Sequence, residues 1–315
     1  MKPIESPTLL EIRQARDRIA GSVVRTPLVR LQVDAPAEIF LKLETLQPIG
    51  SFKLRGALNA MRLLPPHELA QGVYTASAGN MAQGVAWGAR ELGVPCTVLM
   101  PDSAPQTKID AVRRLGAQIQ TVSYDDWWRT LAEHGHPGTR GTFIHPGADR
   151  GVIAGNATIG LEIVEELGDI SAVLVPFGSG GLVAGIGAAV RELSPRTKVL
   201  ACEVATATPL SASLEAGEPV NVSRTPSFVD GIGSTSVLPE MWPVLGRVVS
   251  GSVIATLEEV ARAVRLLIER TRIVAEGAGA TPVAVALSGR AGTGRLVCVV
   301  SGGNIDSRTL VGLLS

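Results

Sequence analysis

The sequence lacks the features that direct a chain to nucleic acid or to a membrane. Its 29 basic and 29 acidic residues give zero formal net charge, and no dense Lys/Arg run occurs, which argues against a nucleic-acid-binding surface. No stretch approaches the roughly 18 uninterrupted apolar residues of a membrane span. The N-terminal segment carries acidic residues and has no apolar core of the kind found in signal peptides. We therefore expect a cytoplasmic protein that binds neither nucleic acid nor a membrane.

Cysteine and histidine are also scarce. Cys96, Cys202 and Cys298 each lie in a short apolar run, and this odd number predicts reduced thiols in the core. None of them is followed by another Cys or His at metal-ligand spacing. His134 and His136 lie in a Gly/Pro-rich loop without a third ligand nearby, so we interpret them as ordinary surface histidines rather than a metal site.

What the chain does contain is a regular alternation of apolar strand candidates and amphipathic helix candidates. This alternation predicts an α/β fold with mainly parallel sheets. Three consecutive strand–helix units fall within residues 48–140, enough for a small domain with its own sheet. Residues 1–47 and 141–315 are then expected to form a larger, cofactor-binding domain.

The first of three glycine-rich turns is "TASAGNMAQG", residues 75–84. A predicted strand ends there, and the small residues from Ser77 to Asn80 open a helix. Backbone N–H groups at a helix N-terminus attract an anion, so a carboxylate or phosphate is the expected ligand. Taken alone, however, the turn is better explained as an ordinary N-cap.

The second turn is "VPFGSGGLVAG", residues 175–185, between an apolar strand and an apolar helix. Successive small residues from Gly178 to Gly181 allow the backbone to curl around a phosphate. A dinucleotide fingerprint, with Glu203 as the ribose contact, would require glycine at Val183. That requirement is not met, which discredits a nucleotide-dependent dehydrogenase and favours a cradle for a single phosphate.

The third turn, "VVSGGNIDS" at residues 299–307, places Ser301 directly after a strand. Its hydroxyl could meet a ring nitrogen of a ligand, although a simple strand-ending turn explains this stretch equally well in isolation. Lys53 lies between Phe52 and Leu54, and it is either a surface cation with an apolar stem or a reactive amine. An amine nucleophile together with a phosphate cradle suggests pyridoxal phosphate, which is both an aldehyde and a phosphate ester.

Seven motifs in order resemble the fold type II pyridoxal-phosphate enzymes, in the branch of the threonine/serine dehydratases and serine racemases. They are "RTPL" at 25–28, "LKLETLQPIGSFKLRGA" at 41–57, "SAGNMAQGVA" at 77–86, "VIAGNATIGLEI" at 152–163, "GSGGL" at 178–182, "EGAGA" at 276–280 and "SGGN" at 301–304. The resemblance covers nearly the whole chain. It implies two three-layer α/β domains of the tryptophan synthase β-like fold, the cofactor between them, and a homodimer.

The resemblance also implies roles for individual residues. Lys53 is expected to be the catalytic residue, as Schiff-base lysine and as base at the substrate α-carbon. The residues expected to bind the cofactor are Phe52, Lys53, Asn80, Gly178, Ser179, Gly180, Gly181, Leu182, Glu276 and Ser301. Those expected to bind the substrate are Ser77, Ala78, Gly79, Asn80 and Met81.

The function implied is that of an ammonia-lyase. Its substrate would be L-threonine, L-serine or a related β-hydroxy amino acid, and β-elimination would release a 2-oxo acid and ammonia. Alternatives within the same fold are an amino-acid racemase, a β-replacement synthase, and a dehydratase for a bulkier substrate such as phenylserine. A binding protein that keeps the pocket without turnover is a further alternative.

Several positions depart from the family pattern. Met81 stands where dehydratases usually carry histidine, and Ala78 stands where similar racemases carry a serine, which argues for elimination. Pro209 replaces the aspartate of the family's cation site, and because proline offers no side-chain oxygen we expect no tight Mg²⁺ or Mn²⁺ there. Trp127 and Trp128 either pack within the small domain or shape a substrate entrance, and an entrance of that kind would suit phenylserine.

Overall fold

The computed structural model describes residues 2–315 and divides their strands between two sheets. One sheet has six strands in the order β1-β2-β10-β7-β8-β9, and the other has four in the order β5-β4-β3-β6. All neighbours pair in parallel except β1 with β2. The strands are β1 (Leu28–Arg30), β2 (Glu38–Leu43), β3 (Val73–Ala76), β4 (Cys96–Pro101), β5 (Gln118–Val122), β6 (Thr142–Phe143), β7 (Ile170–Pro176), β8 (Lys198–Val204), β9 (Gly251–Ala255) and β10 (Arg295–Val300). This confirms the predicted α/β class with mainly parallel sheets.

Helices connect the strands and cover the sheets. They are α1 (Leu9–Ile19), α2 (Lys53–Arg62), α3 (Pro66–Leu69), α4 (Asn80–Leu92), α5 (Gln106–Arg113), α6 (Tyr124–Ala132), α7 (Arg150–Glu166), α8 (Gly181–Leu193), α9 (Pro209–Ala216), α10 (Trp242–Val248), α11 (Leu257–Thr271), α12 (Gly277–Leu287) and α13 (Ser307–Leu314), with a 3₁₀ turn at Glu44–Leu46. Two of them begin with a capping box: α1 is capped by Thr8, and α11 by Thr256. Among the described residues, no helix has the length and apolar character needed to cross a membrane.

The six-stranded sheet is buried on both faces. Leu174 and Cys298 face a core shared with α11 and α12, whereas Val173 and Val297 face a second core shared with α7 and α8. Because neighbouring residues of a strand point to opposite faces, both sets must be apolar, which accounts for the continuous apolar runs in the sequence. The three cysteines are free and buried, as the sequence predicted.

The four-stranded sheet is also covered on both faces. Val98 and Met100 pack with α2 and α4, while Tyr74, Ala76 and Leu99 face the side on which α6 lies. Strand β6 follows residue 140 in the chain, yet it pairs with β3 in this sheet. The predicted domain boundaries at residues 47/48 and 140/141 stay a prediction.

Helix α7 brings the two halves of the chain together. It packs against α2, which begins with Lys53, and against α8, which begins at the glycine-rich turn. At Gly155 the approach is so close that a Cβ atom would lie 2.4 Å from the Arg55 carbonyl oxygen. Glycine is therefore required there, and it fixes the depth at which α2 sits.

Candidate active site

One cavity collects most of the side chains that the sequence analysis singled out. It has a volume of about 420 Å³ and lies at the ends of strands from both sheets. Its lining includes every predicted cofactor- or substrate-binding residue except Gly181. A second cavity of about 480 Å³ lies beside the β1–β2 connection, and it contains none of the predicted residues. The first cavity is therefore the candidate active site.

Lys53 is the first residue of α2, and its side chain is partly buried at the cavity wall. Its Nζ donates a hydrogen bond to the Pro146 carbonyl oxygen at 2.6 Å and lies 5.1 Å from the centre of the Phe52 ring. Burial lowers the pKa of this amine to about 8, against the opposing attraction of Glu276. The amine is thus turned inward and poised as a nucleophile or base, not extended along the surface as a snorkelling lysine would be.

Glu276 lies on the opposite side of the cavity lining and is buried. Asn80 Nδ2 donates to Glu276 Oε1 at 2.8 Å, and Asn304 Nδ2 donates to Asn80 Oδ1 at 2.8 Å. Burial, reinforced by repulsion from Asp230, raises the pKa of Glu276 to about 7. This chain of hydrogen bonds fixes both the position and the orientation of the Asn80 amide.

The loop after β3 ends at α4 without a side-chain N-cap, so the ordinary capping explanation does not hold here. Ser77 Oγ instead accepts a hydrogen bond from the Gly79 N–H at 3.2 Å. The first N–H groups of α4 remain available to an anion, and the helix dipole favours negative charge at this position. Ala78 presents only a methyl group to the cavity, and Met81 is buried against its wall.

The turn after β7 has the backbone of an anion cradle. Gly180 adopts a φ of +90°, a left-handed conformation that favours glycine, and α8 starts there without a side-chain cap. Gly181 does not line the cavity; it lies against the backbone of Gly147. Together with the uncapped N-terminus of α8, the turn fits a phosphate group.

The start of α2 is joined to the end of β10. The Phe52 N–H donates to the Ser301 carbonyl oxygen at 2.9 Å, and Ser51 forms an isolated bridge with Gly302. Ser301 is buried and lines the cavity, so its hydroxyl is placed to meet a neutral acceptor on a ligand. The amine of Lys53 and the hydroxyl of Ser301 therefore keep a fixed relative position.

The turn from His145 to Ala148 supports the amine from below. His145 Nδ1 accepts hydrogen bonds from the N–H groups of Gly147 (3.0 Å) and Ala148 (2.6 Å), which holds the Pro146 carbonyl toward Lys53. Burial, with repulsion from His134 and Lys53, lowers the pKa of His145 to about 3, so the ring is neutral. The interpretation of His134 as an ordinary surface residue is wrong, because its ring is partly buried and stacks on His145 with centroids 4.5 Å apart.

Four side chains form the outer part of the cavity. Lys108 Nζ on α5 and Asp230 Oδ2 on the loop before α10 are 2.5 Å apart and join the two sides of the cavity mouth. Trp127 and Trp128 of α6 both line the cavity. Trp127 also packs against the core of the small sheet, so the two explanations offered for this residue are compatible.

The position of the family's cation site is taken up by hydrogen bonds. Glu203 Oε1 accepts from the Leu210 N–H at 2.8 Å, and Glu203 Oε2 accepts from the Ser211 N–H and from the Ser211 and Ser252 hydroxyls at 2.6–2.8 Å. The carboxylate thus lies at the N-terminus of α9. In the part of the chain that the structure describes, no group of three His, Cys, Asp or Glu side chains could hold a metal ion.

Sequence reasoning missed three residues that the geometry brings into the site. Pro146 and Gly147 belong to "HPGADRG", where a Gly/Pro pair next to a histidine was a usable turn signal. Asn304 belongs to the quoted "SGGN" motif but received no role. Its contact with Asn80 joins residues 224 positions apart, a separation that local patterns do not reveal.

Comparison with known proteins gives one family. A model described as "Pyridoxal-phosphate dependent enzyme" matches residues 19–302. The L-threonine ammonia-lyase of Geobacter sulfurreducens is 42% identical over 307 residues, which is 95% of this chain and 76% of that protein. The L-threonine ammonia-lyase of Thermotoga maritima is 40% identical over 305 residues, with the same two coverages.

Solved structures agree with this family. Maize serine racemase superimposes with a TM-score of 0.89 at 30% identity, over 98% of this chain and 97% of that one. A bacterial threonine deaminase, from the organism abbreviated T.th., gives a TM-score of 0.86 at 37% identity, over 95% and 99%. These similarities confirm the fold type II resemblance. The chain belongs to the pyridoxal-phosphate dependent enzymes, and pyridoxal phosphate is its cofactor.

Proposed function

We propose that this protein is an ammonia-lyase that converts L-threonine, L-serine or a related β-hydroxy amino acid into a 2-oxo acid and ammonia. One observation carries the proposal: the amine of Lys53 and the uncapped N-termini of α4 and α8 border a single cavity. An amine nucleophile and two anion sites are what a phosphorylated aldehyde and an amino acid require together. The names of the two bacterial relatives support the same reaction.

The residues present fit the cofactor. Its phosphate would lie in the turn from Gly178 to Gly181 with Leu182 beside it, its aldehyde at Lys53, and its ring nitrogen at the Ser301 hydroxyl. Phe52, Asn80 and Glu276 would border the ring. A hydroxyl partner carries no charge, so it leaves the ring nitrogen less electron-withdrawing than a carboxylate partner would.

When bound, the cofactor supplies a carbonyl that captures the substrate amine and withdraws electrons from the α-carbon. The chain's own residues supply the rest. The segment from Ser77 to Asn80, with Met81 at its edge, holds the substrate carboxylate and so orients the α-hydrogen. Lys53, whose pKa of about 8 brings its neutral form close to physiological pH, removes that hydrogen.

Elimination is favoured over racemisation by the residue at position 78. Racemisation needs a second acid–base group on the face of the substrate opposite Lys53, and the methyl group of Ala78 cannot exchange a proton. Removal of the α-hydrogen can then be followed by loss of the β-hydroxyl as water, and hydrolysis of the product releases ammonia. A β-replacement synthase would give an amino acid instead, which product analysis separates.

The remaining parts of the proposal concern the setting of the enzyme. We propose that it acts in the cytoplasm as a homodimer, with a small domain of residues 48–140 and a large domain of residues 1–47 and 141–315. Three free, buried thiols are consistent with a reducing compartment. Light scattering of the purified protein measures the dimer directly, and a monomer would contradict that part.

The test begins with the cofactor attachment. Protein incubated with pyridoxal phosphate should develop the absorbance of a Schiff base, and borohydride reduction followed by peptide mass spectrometry should locate the added mass on Lys53. Lys53→Ala should abolish both signals. Lys108→Ala is the matched control, because Lys108 lines the same cavity but is ion-paired, so it should leave the label on Lys53.

A panel of L- and D-amino acids then tests the reaction. Release of a 2-oxo acid and ammonia from a β-hydroxy amino acid supports the proposal. Interconversion of enantiomers without ammonia would replace it with a racemase, and silence across the panel in a correctly labelled protein would favour a binding protein.

A further inference from the structure

Three aromatic residues of α6 form one side of the cavity, and we call them the aromatic wall: Tyr124, Trp127 and Trp128. The ring centroids of Tyr124 and Trp127 are 5.8 Å apart, and those of Trp127 and Trp128 are 6.5 Å apart. All three rings line the cavity that contains Lys53. They account for three of the chain's eleven aromatic residues, concentrated in a span of five positions.

The members of the wall differ in how far they are covered by protein. Trp127 packs from behind against Tyr74, Ala76 and Leu99 and anchors the wall to the small sheet. Tyr124 and Trp128 keep 55% and 39% of their surface exposed. Exposed aromatic surface that borders a cavity is a surface that a ligand can cover with a gain in free energy.

The wall stands next to the place where a substrate carboxylate would bind. Trp127 contacts the core that contains Ala76, and Ala76 directly precedes Ser77 in the carboxylate-binding loop. Leu131, one turn further along α6, and Met81 in α4 continue the apolar surface into the cavity. A side chain extending from the α-carbon of a bound amino acid therefore meets apolar and aromatic groups.

We propose, as an extension of the elimination reaction above, that the aromatic wall receives an aryl group on the substrate β-carbon. The preferred substrate class is then a β-aryl-β-hydroxy amino acid, with L-phenylserine as the simplest member. The methyl group of threonine is too small to cover three rings, whereas a phenyl ring can stack on one and contact its neighbour edge-on.

The reaction of this substrate is balanced without any oxidant or reductant. The α-C–H bond and the β-C–O bond break, and one water leaves. The resulting enamine takes up a proton at the β-carbon and becomes an imine, and one water adds at the α-carbon as ammonia leaves. Phenylserine thus gives phenylpyruvate and ammonia.

Binding is tested first, with amino acids that cannot eliminate because they carry no β-hydroxyl. Isothermal titration of the cofactor-loaded protein should give L-phenylalanine a dissociation constant at least about tenfold below that of L-alanine. Trp128→Ala should reduce this preference to about threefold or less. Trp242→Phe is the control, since Trp242 lies outside the cavity, and it should keep the preference.

Turnover is tested second, as the ratio of kcat/KM for L-phenylserine to kcat/KM for L-serine. The wild-type ratio should exceed one, and Trp128→Ala should lower it at least about tenfold. Trp128→Leu, which keeps apolar volume, and circular dichroism of each variant separate this effect from misfolding.

The possible results distinguish the two proposals. If L-serine or L-threonine is turned over but L-phenylalanine binds no more tightly than L-alanine, the aromatic-wall proposal is overturned and the ammonia-lyase stands. If no β-hydroxy amino acid yields a 2-oxo acid, the ammonia-lyase fails, while the phenylalanine preference and its loss in Trp128→Ala still decide the role of the wall.

Discussion

At the scale of single residues, the chemistry of Lys53 depends on its surroundings. Its Nζ contacts a backbone carbonyl and an aromatic ring rather than a carboxylate, so no adjacent anion stabilises the protonated form by a direct ion pair. Glu276 attracts the ammonium from a distance and opposes part of the effect of burial. The balance leaves an amine that loses its proton more readily than a solvated lysine.

The lowered pKa predicts how the cofactor-free protein captures its cofactor. The capture rate should rise with pH through a midpoint near 8, because only the neutral amine attacks the aldehyde. Stopped-flow absorbance over a pH series measures this midpoint, and N-acetyl-lysine amide is the reference, with a midpoint near the ordinary value of about 10.4. A midpoint shared with the reference would contradict burial of the amine.

The variant Glu276→Gln tests the opposing attraction. Removing the carboxylate takes away a contribution that raises the pKa of Lys53, so the capture midpoint should move below about 8. The Gln carbonyl can still accept the hydrogen bond from Asn80, which preserves the local structure. A midpoint that moved upward would show that Glu276 does not stabilise the ammonium.

At the scale of elements, α2 is fixed by a buried group of charges that sequence patterns did not reveal. Arg55 contacts Glu44 at 2.8 Å and Glu162 at 2.6 Å, and Lys42 contacts Glu162 at 2.8 Å. These residues join β2, the 3₁₀ turn, α2 and α7, and all four are buried. Because Arg55 lies two positions after Lys53, the group sets the position of the reactive amine.

Breaking this group should be costly. Arg55→Met leaves the carboxylates of Glu44 and Glu162 in the core without their guanidinium partner, and the free energy of unfolding should fall by about 3–5 kcal/mol. Arg30→Met is the control at an exposed pair with Glu38, and it should cost less than about 1 kcal/mol. Urea denaturation of both variants measures the two values, and similar losses would contradict the assigned role.

The N-terminus of α9 predicts the response to metal ions. Glu203 receives its hydrogen bonds from backbone N–H groups and two serine hydroxyls, and Pro209 supplies no oxygen ligand. Chelation with EDTA and addition of Mg²⁺ should therefore change neither the melting temperature nor the rate of elimination. A rise in melting temperature that saturates with Mg²⁺ would show a cation site in place of this hydrogen-bonded carboxylate.

At the scale of the whole molecule, the turn below Lys53 and the glycine-rich turn after β7 are in contact. A Cβ atom at Gly147 would lie 2.1 Å from Ser179 Oγ and 2.6 Å from Ser179 Cβ. Gly147→Ala should therefore displace the phosphate cradle and weaken cofactor binding at least about tenfold. Equilibrium dialysis with pyridoxal phosphate measures the change.

The double variant Gly147→Ala/Ser179→Gly is the control for that prediction. It removes the side chain that the new methyl group would strike, so it should recover part of the affinity lost in Gly147→Ala. If Gly147→Ala bound the cofactor as the wild type does, the close packing of the two turns would not matter for the cradle.

The sequence predicted the periodic and local parts of this molecule. Strands such as β4 and β7 and helices such as α4 and α8 were identified because their apolar patterns and glycine punctuation are local. The short edge strand β6 was not, since two residues carry no periodicity and its pairing with β3 is decided by tertiary contacts. Lys53 and the glycine-rich turns were recognised from motifs, whereas the contacts of Pro146 and Asn304 depend on residues 93 and 224 positions away.

The ion pair between Lys108 and Asp230 spans the mouth of the cavity, with 37% and 50% of the two side chains exposed. A clasp of this kind is cheap to open, because water solvates both charges as they separate and an exposed pair contributes at most about 1 kcal/mol. Traffic through the mouth should therefore respond to ionic strength, with added salt loosening the clasp and quickening the exchange of amino acids.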